Sequence, residues 1–307
     1  MKSVLVLGGT GFFGTRVRAV LEGAGHRVVS ASRREGLDLQ NYADTERVFR
    51  EVQPEAIFNC AAHVGSLHYV SQFAAGVLHD NIQMALNLYK AAAAVCPKAR
   101  IVNPLSNCSY PGDADVHYEP DWWKGEVHES VIAYGNAKRT IYVLSRCYAK
   151  QHGIRTLNFL VPNAFGPGDY TDPNRTHALN GMIIRMLQAH RAGAAEFEIW
   201  GTGKPLREWG YVDDMAAVLG RAVDLDADLT YPVNIAQNRG YSIRESAEAI
   251  AKAIGFSGRL VFNTKYQDGA MRKILDDRKF RALFPDFKFT DHEEAIRRTV
   301  SYYCGVL

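Results

Sequence analysis

Tyr134 and Lys138 stand four residues apart, as Tyr134-Gly135-Asn136-Ala137-Lys138. On a helix, positions i and i+4 share a face. An ammonium one turn away favours the phenolate and so lowers the phenol's pKa. A phenol brought down from about 10 can exchange protons near neutral pH. The same spacing also fits a helix with one aromatic residue and one solvated lysine. Upstream lie Ser106 and Cys108, just after the apolar run Ile101 to Leu105. That run predicts a strand with Ser106 at its C-terminal end, where open α/β sheets place their chemistry.

The N-terminus supplies the frame for this pair. The apolar run Ser3 to Leu7 is followed by Gly8-Gly9-Thr10-Gly11-Phe12-Phe13-Gly14 and then by an amphipathic segment, Thr15 to Glu22, ending at Gly25. A strand, a glycine turn spaced G-x-x-G-x-x-G at Gly8, Gly11 and Gly14, and a helix start make a dinucleotide cradle. The glycines let the backbone approach a pyrophosphate, and the helix N-terminus stabilises its charge. A second strand, Arg27 to Ala31, is followed by Ser32-Arg33-Arg34, with no acid in Ser30 to Arg34 for a ribose 2'-hydroxyl. Arginines there suit a 2'-phosphate, so the expected cofactor is NADP(H) rather than NAD(H); the alternative is a solvated basic turn. Asp38 and Leu39 are candidates for the adenine pocket, and the small residues Ala61 and Ala62 for the passage of the cofactor backbone.

Strand and helix signals alternate along the first half. A helix over Asp44 to Val52, a strand over Ala56 to Cys60, a long helix over Val77 to Val95 stopped by Pro97, and a strand over Ala99 to Val102 are expected. Asn81 and Asn87 read as polar residues satisfied within the long helix. A turn-rich loop carrying Trp122 and Trp123 follows; the tryptophans either cap a substrate pocket or pin the loop to the core. The Tyr134 helix runs to His152, and a strand over Arg155 to Val161 leads to Pro162 and Asn163. This alternation predicts an α/β fold, a Rossmann-type doubly wound parallel sheet with a smaller C-terminal α/β substrate domain. The expected division is 1–165 with about 208–237 for the cofactor, and about 166–207 with 238–307 for the substrate. Beyond residue 165 the sequence predicts a helix over Leu179 to Arg191, a strand at Glu198 to Trp200, a helix beginning at Tyr211 to Ala216, a short strand at Pro232 to Ala236, and two or three further helices with a strand near Leu260.

Composition narrows the class. The 307 residues are 47% hydrophobic and 22% charged, as in an ordinary globule. A net charge of +3 without a basic block gives no support for nucleic acid. No apolar run reaches about 18 residues, so no membrane span is expected. Five cysteines without a C-x-x-C pair, and a start that enters a strand directly, suit a reducing cytoplasm and give no structural metal. Two Asn-x-Ser/Thr sequons occur, at Asn107 and Asn174; without secretion they carry no meaning.

Taken as an ordered set, these residues resemble the extended short-chain dehydrogenase/reductases, and among them the GDP-L-fucose synthase family of epimerase-reductases. The resemblance covers nearly the whole chain. It rests on the glycine turn, Ser106-Asn107-Cys108-Ser109-Tyr110-Pro111, Tyr134 to Lys138, and His177 beyond Gly166-Pro167. Trp200-Gly201-Thr202-Gly203-Lys204-Pro205-Leu206-Arg207-Glu208, Val212-Asp213-Asp214-Met215-Ala216 and Arg272-Lys273-Ile274-Leu275-Asp276 complete it.

The resemblance implies roles. Ser106 and Tyr134 would hold a 4-keto oxygen, Tyr134 protonating it as hydride arrives. Lys138 would bind the nicotinamide ribose and lower the phenol's pKa. Cys108 would be the base and His177 the acid that invert carbons beside the ketone. Pro162 and Asn163 would border the cofactor, and Asn163, Arg185, Trp200, Arg207 and Lys273 the nucleotide sugar, guanidinium forks suiting its diphosphate. A homodimer through the two long helices is also implied. The residues taken singly leave Cys108 open as a small buried hydrophobe and His177 as a helix cap.

The chain departs from the pattern at Ser66 through Tyr69, where a second glycine is usual. It departs again at Ile132-Ala133, at Asn180, at Met271 and at the paired tryptophans. The implied activity is epimerisation and 4-keto reduction of a nucleotide-linked 4-keto-6-deoxy sugar, with GDP as the expected nucleotide. The alternatives are a 4-ketoreductase without epimerisation or an epimerase without net reduction. A 4,6-dehydratase would carry Asp-Glu after its threonine where Asn107 stands, and a non-catalytic NADPH sensor would normally lack the tyrosine or the lysine.

Overall fold

The computed structural model describes all residues except 173–174, 228, 230, 267 and 269, so the Asn174 sequon lies outside the described residues. The chain opens with β1 (Ser3–Leu7), the glycine turn and α1 (Phe12–Gly23). There follow β2 (Arg27–Ala31), α2 (Tyr42–Val52), β3 (Ala56–Asn59), α3 (Leu67–Gln72), α4 (Ala74–Val95), β4 (Arg100–Ser106) and β5 (Val116–His117). Next come α5 (Ile132–His152), β6 (Thr156–Val161), β7 (Asn163–Phe165), α6 (Ala178–Arg191), β8 (Glu196–Trp200), β9 (Leu206–Arg207), β10 (Trp209–Tyr211), α7 (Val212–Arg221) and β11 (Val233–Asn234). The chain ends with β12 (Tyr241–Ser242), α8 (Ile243–Ile254), β13 (Arg259–Asn263), β14 (Arg272–Leu275), α9 (Arg278–Leu283) and α10 (His292–Val306).

Six strands form one parallel sheet in the order β11-β6-β4-β3-β1-β2. Side chains alternate across it with the period of two that a strand dictates. Leu5, Leu7, Ile57, Ile101 and Leu105 enter the core beneath α2, α4 and α5. Val4, Val6, Phe58, Val102, Leu157 and Phe159 enter the opposite one, with Val17, Leu21, Met215 and Leu219. Both faces are covered, which is why these strands read as unbroken apolar runs. Phe280, Phe284 and Phe287, late in the chain, also pack into this second core.

The strand order reverses between β1 and β3, and the crevice beyond their carboxyl ends is where such sheets bind ligands. A third core joins α6, α8 and α10 with the β8-β13 pair. A small sheet, β12-β9-β14-β5, lies between the segments that flank it in sequence.

β4 runs past the Ala99 to Val102 segment through Asn103-Pro104 and ends at Ser106, as the run Ile101 to Leu105 predicts; it continues beside β6 after its pairing with β3 has ended. The residue that looks like a breaker, Asn103, is held by side-chain bonds instead. Asn59 Nδ2 donates to Asn103 Oδ1 (3.1 Å), while Asn103 Nδ2 donates to Asn158 Oδ1 (3.0 Å) and to Tyr89 Oη (2.8 Å). This buried ladder crosses β3, β4 and β6 just below Ser106. α3 and the short strands β5, β7, β9, β10, β12 and β14 lie in stretches from which the sequence predicts no such element.

Replacing Asn103 by Leu strands the Asn59 donor and the Asn158 acceptor, at about 1–3 kcal/mol for each buried group left unpaired. Urea unfolding is expected to show a lower midpoint with an unchanged slope.

Candidate active site

The glycine turn is built by close approach. Gly8 has φ +73°, and a Cβ there would come within 2.7 Å of the Ala61 backbone; a Cβ at Gly14 would meet the Gly8 carbonyl oxygen at 2.2 Å. Ala61, at the end of β3, therefore lies directly against the turn at the reversal of strand order. Gly11 precedes α1 without any side-chain cap, leaving the first N–H groups of the helix to an anion. A pyrophosphate fits this cradle.

At the end of β2, Arg33 and Arg34 are exposed, and Arg33 Nε lies 3.8 Å from Asp38. The chain also turns back to bring Glu35 there, its carboxylate accepting from Ser30 Oγ (2.9 Å) and Ser32 Oγ (2.7 Å). The sequence finds no acid within Ser30 to Arg34; the acid arrives one residue later through a turn. Leu39 is buried in the core, and its carbonyl accepts from Asn87. Asn81 in turn binds the backbone of His63. Both asparagines are satisfied within the helix, as expected, Asn81 by the Val77 carbonyl and Asn87 by Gln83 Nε2, and each also reaches a loop outside it.

Ser106 ends β4, and its Oγ accepts from the Cys108 backbone N–H (3.2 Å). The turn is locked from behind. Trp122 Nε1 donates to Ser109 Oγ (2.8 Å), and Ser109 Oγ donates to the Ser106 carbonyl. Arg139 donates to the carbonyls of Ser109 (2.8 Å) and Trp122 (2.9 Å). Trp122 is fully buried and pins the loop, whereas Trp123 is half exposed with the Arg139 guanidinium over its ring. Asn107 is buried.

The tyrosine helix rests on the same turn. A Cβ at Gly135 would lie 2.6 Å from the Cys108 carbonyl oxygen, so the residue after Tyr134 must be small. Cys108 and Tyr134 pack against one apolar cluster. Lys138 is buried, with Nζ donating to the Pro104 carbonyl (3.2 Å) and lying 5.3 Å from the centre of the Tyr134 ring.

The expected lowering of the phenol's pKa is not what this site shows. Burial pushes Tyr134 well above its ordinary value, and the neighbouring Cys108 adds to the rise. Burial also brings Lys138 down to about 8, with the Cys60 thiol opposing. Desolvation of both groups outweighs the attraction between them.

His177 stands immediately before α6 and does not cap it with its side chain. Its ring lies 5.4 Å from that of Phe12, the first residue of α1, which puts it beside the cofactor cradle. A buried carboxylate the sequence does not single out, Asp169, holds it. Asp169 Oδ2 is 3.0 Å from His177 Nδ1 and accepts from the His177 backbone N–H (2.8 Å), Asn180 Nδ2 (2.9 Å) and Thr176 Oγ1 (3.2 Å). Asn180, one of the departures in sequence, is thus part of the carboxylate's support. Burial pushes the Asp169 carboxyl up, but the bonds and charge of His177, with Asn180, more than offset this and hold it below the usual range. The pattern Asp-x7-His is too loose to find without the fold.

The basic residues form a second group. Arg207 and Lys273 are register partners on β9 and β14. Arg185 lies 5.2 Å from the ring centres of both Phe197 and Trp200, and exposed Trp200 stacks on Tyr266 at 4.9 Å. Burial depresses the pKa of Arg185 and of Arg207, as it does where a cation lacks a full set of counter-charges. Asn163, next to Pro162, donates weakly to the Glu208 carbonyl (3.4 Å). Glu208, raised to about 7 by burial, accepts from the backbone N–H groups of Gln237 (2.6 Å) and Leu275 (2.9 Å) and so joins β9 to β14.

Residues 4–236 match the model of the NAD dependent epimerase/dehydratase family. The chain belongs to that family. Among its relatives is a probable GDP-L-fucose synthase of Drosophila melanogaster, 32% identical over 99% of this chain and 97% of that protein. Another is probable GDP-L-fucose synthase 1 of Oryza sativa subsp. japonica, 31% identical over 91% of this chain and 85% of that one. A GDP-L-fucose synthetase of Naegleria fowleri, solved bound to NADP, is 27% identical; it superposes with a TM-score of 0.87 over 98% of this chain and 94% of its own. Within the family's frame, this chain joins a glycine cradle to a Ser-Cys-Tyr-Lys cluster and a carboxylate-held histidine.

The Asp169 carboxylate gives a testable pH effect. Its folded pKa lies below the unfolded value, so its stabilisation is complete above about pH 4 and is lost as pH falls through the folded pKa. In Asp169→Asn, the stability deficit measured by denaturant unfolding is expected to be largest near neutrality and to shrink in acid. Proton transfers that need His177 are expected to slow by up to about 10²-fold.

Proposed function

We infer that this protein is an NADPH-dependent epimerase and 4-ketoreductase of a GDP-linked 4-keto-6-deoxy sugar. The observation that carries this reading is the meeting of Ser106, Cys108, Tyr134 and Lys138 around one turn, with His177 beside the same cradle. The bound nicotinamide would supply hydride to the ketone carbon. Arg33 and Arg34 favour the 2'-phosphate form, and the cofactor's pyrophosphate would lie over Gly8, Gly11 and the start of α1.

The sugar's 4-keto oxygen would accept hydrogen bonds from Ser106 Oγ and Tyr134 Oη. Those donors stabilise an enolate, which makes the protons on the adjacent carbons removable. Cys108 takes such a proton as thiolate, and His177 returns one to the opposite face; the sequence of both inverts the centre. Thiolate and imidazole both suit proton exchange near neutrality. Once the ring has the new configuration, hydride adds to C4 and Tyr134 gives its proton to the oxygen. The high pKa of the buried phenol keeps it protonated and ready as the acid, and Lys138 fixes the ribose and the phenol together. Arg185, Arg207 and Lys273 would hold the diphosphate, with the Trp200-Tyr266 pair at the nucleotide end. The working division is 1–165 with about 208–237 for the cofactor, and about 166–207 with 238–307 for the nucleotide sugar. A homodimer through α4 and α5, which expose Leu86 and Val143, and a cytoplasmic location belong to the same reading.

The test is incubation with GDP-4-keto-6-deoxy-mannose in D2O. Deuterium entering beside the ketone without NADPH, and a reduced epimerised sugar with it, are the expected results by NMR and mass spectrometry. Cys108→Ser is expected to abolish exchange and leave direct reduction. Reduction without any exchange in the wild type would make the protein a simple ketoreductase, and an unchanged exchange rate in Cys108→Ser would remove the thiol from the mechanism.

A further inference from the structure

The loop after β3 runs from Cys60 past Ala61, which lies against the glycine turn, to α3. It carries a side-chain relay. His63 Nδ1 is 2.8 Å from Asp80 Oδ2, and His63 Nε2 is 2.9 Å from Tyr69 Oη. Three separate elements supply the members: the loop, α3 and α4. Each is fixed independently. Asn81 takes the His63 N–H and carbonyl (3.1 and 2.8 Å), Ser66 Oγ accepts from the Tyr69 N–H (3.2 Å), and Asp80 Oδ1 lies 3.1 Å from His79 Nδ1.

The direction of the relay follows from the carboxylate. Burial pushes the Asp80 carboxyl up, but the bonds from His79 and His63 outweigh it and keep it below the ordinary range. An ionised Asp80 can only accept, so His63 carries hydrogen on Nδ1 and its Nε2 meets the Tyr69 hydroxyl. Whichever of Nε2 and Oη donates in that bond, the phenolic oxygen keeps a lone pair free to accept.

The position of Tyr69 says from what. Tyr69, Cys108 and Tyr134 all pack against the cluster of Val70, Val77, Val131 and Ala133. α3 itself lies against the turn Glu129–Val131 that leads into the tyrosine helix. Holding three side chains in one chain of hydrogen bonds costs rotamer freedom, and a partly exposed tyrosine could bond to water without it. What the relay adds is a hydroxyl of fixed direction on a residue that shares its apolar cluster with Cys108 and Tyr134, in the stretch where the chain departs from the family's Val-Gly-Gly.

We propose that Tyr69, oriented through His63 by Asp80, determines substrate specificity by accepting a hydrogen bond from a hydroxyl of the sugar ring whose ketone lies at Ser106 and Tyr134. His63 and Asp80 are positioning residues. The inference rests on the function inferred above and adds a contact to the same site.

The test is steady-state NADPH oxidation by the full chain with GDP-4-keto-6-deoxy-mannose, comparing wild type with Tyr69→Phe, His63→Leu and His63→Gln. Tyr69→Phe is expected to raise the sugar KM by about 3- to 10-fold, the worth of one neutral hydrogen bond, with the NADPH KM and the melting temperature unchanged. His63→Leu moves the sugar KM the same way, and His63→Gln, which can still bond to the phenol, recovers most of the loss. A merely structural relay would lower the melting temperature and leave the sugar KM alone, and that result overturns the proposal, as does a His63→Gln no better than His63→Leu. Wild-type turnover with an unchanged Tyr69→Phe KM contradicts the relay alone. Absence of wild-type turnover contradicts the assigned function and the relay's role with it.

Discussion

The contact on which the site depends is the rest of Gly135 against the Cys108 carbonyl. A side chain there would have to occupy space 2.6 Å from the Cys108 backbone oxygen, in a turn that Trp122 and Arg139 hold in place by hydrogen bonds. The start of the tyrosine helix is therefore seated on the serine turn at van der Waals distance, and Ser106, Cys108 and Tyr134 move as one body. β4 carries the turn, and the Asn59-Asn103-Asn158 ladder ties β4 to both neighbours just below it. Rigidity of this kind matters because donors aimed at a developing oxyanion help only when they need no rearrangement during the reaction.

Electrostatics at the site is governed by burial. Tyr134 is raised and Lys138 lowered to about 8 because each loses solvent, and the attraction between them does not repay that loss. The consequence suits an acid rather than a base: the phenol keeps its proton until charge develops on the oxygen it faces. In the proposed reaction, proton traffic on the ring carbons would fall instead to Cys108 and His177, and the buried Asp169 fixes the histidine from behind in the way a carboxylate orients a catalytic imidazole. Asp80 holds His63 in a similar way.

What could be read from the sequence was whatever repeats with a local period or sits within a few residues. The apolar runs of β1 and β3, the glycine turn, Tyr134 with Lys138, and the helix stop at Gly153 are all of that kind. β4 is legible too, its run Ile101 to Leu105 ending at Ser106, but what holds Asn103 within it is not, because Asn59 and Asn158 lie opposite only in the folded sheet. α3 was missed since six residues with one buried valine carry no periodic signal. Asp169 and Glu35 were invisible for a different reason: their importance comes from side chains returned to them by turns, not from spacing. The lowered tyrosine pKa was a correct rule applied without its competitor, since the sequence gives the distance between two charges but not the water that each has lost.

In the proposed reaction one carbonyl oxygen, bound by Ser106 and Tyr134, serves both halves. The most direct measurement is the effect of Ser106→Ala on two rates in the same preparation: deuterium exchange beside the ketone without NADPH, and NADPH-dependent reduction of the ketone. Loss of one oxyanion donor is expected to slow both by similar factors, of order 10²-fold. Exchange at the wild-type rate with reduction lost would contradict the claim, because the enolate would then be stabilised somewhere other than at the oxygen that receives the proton.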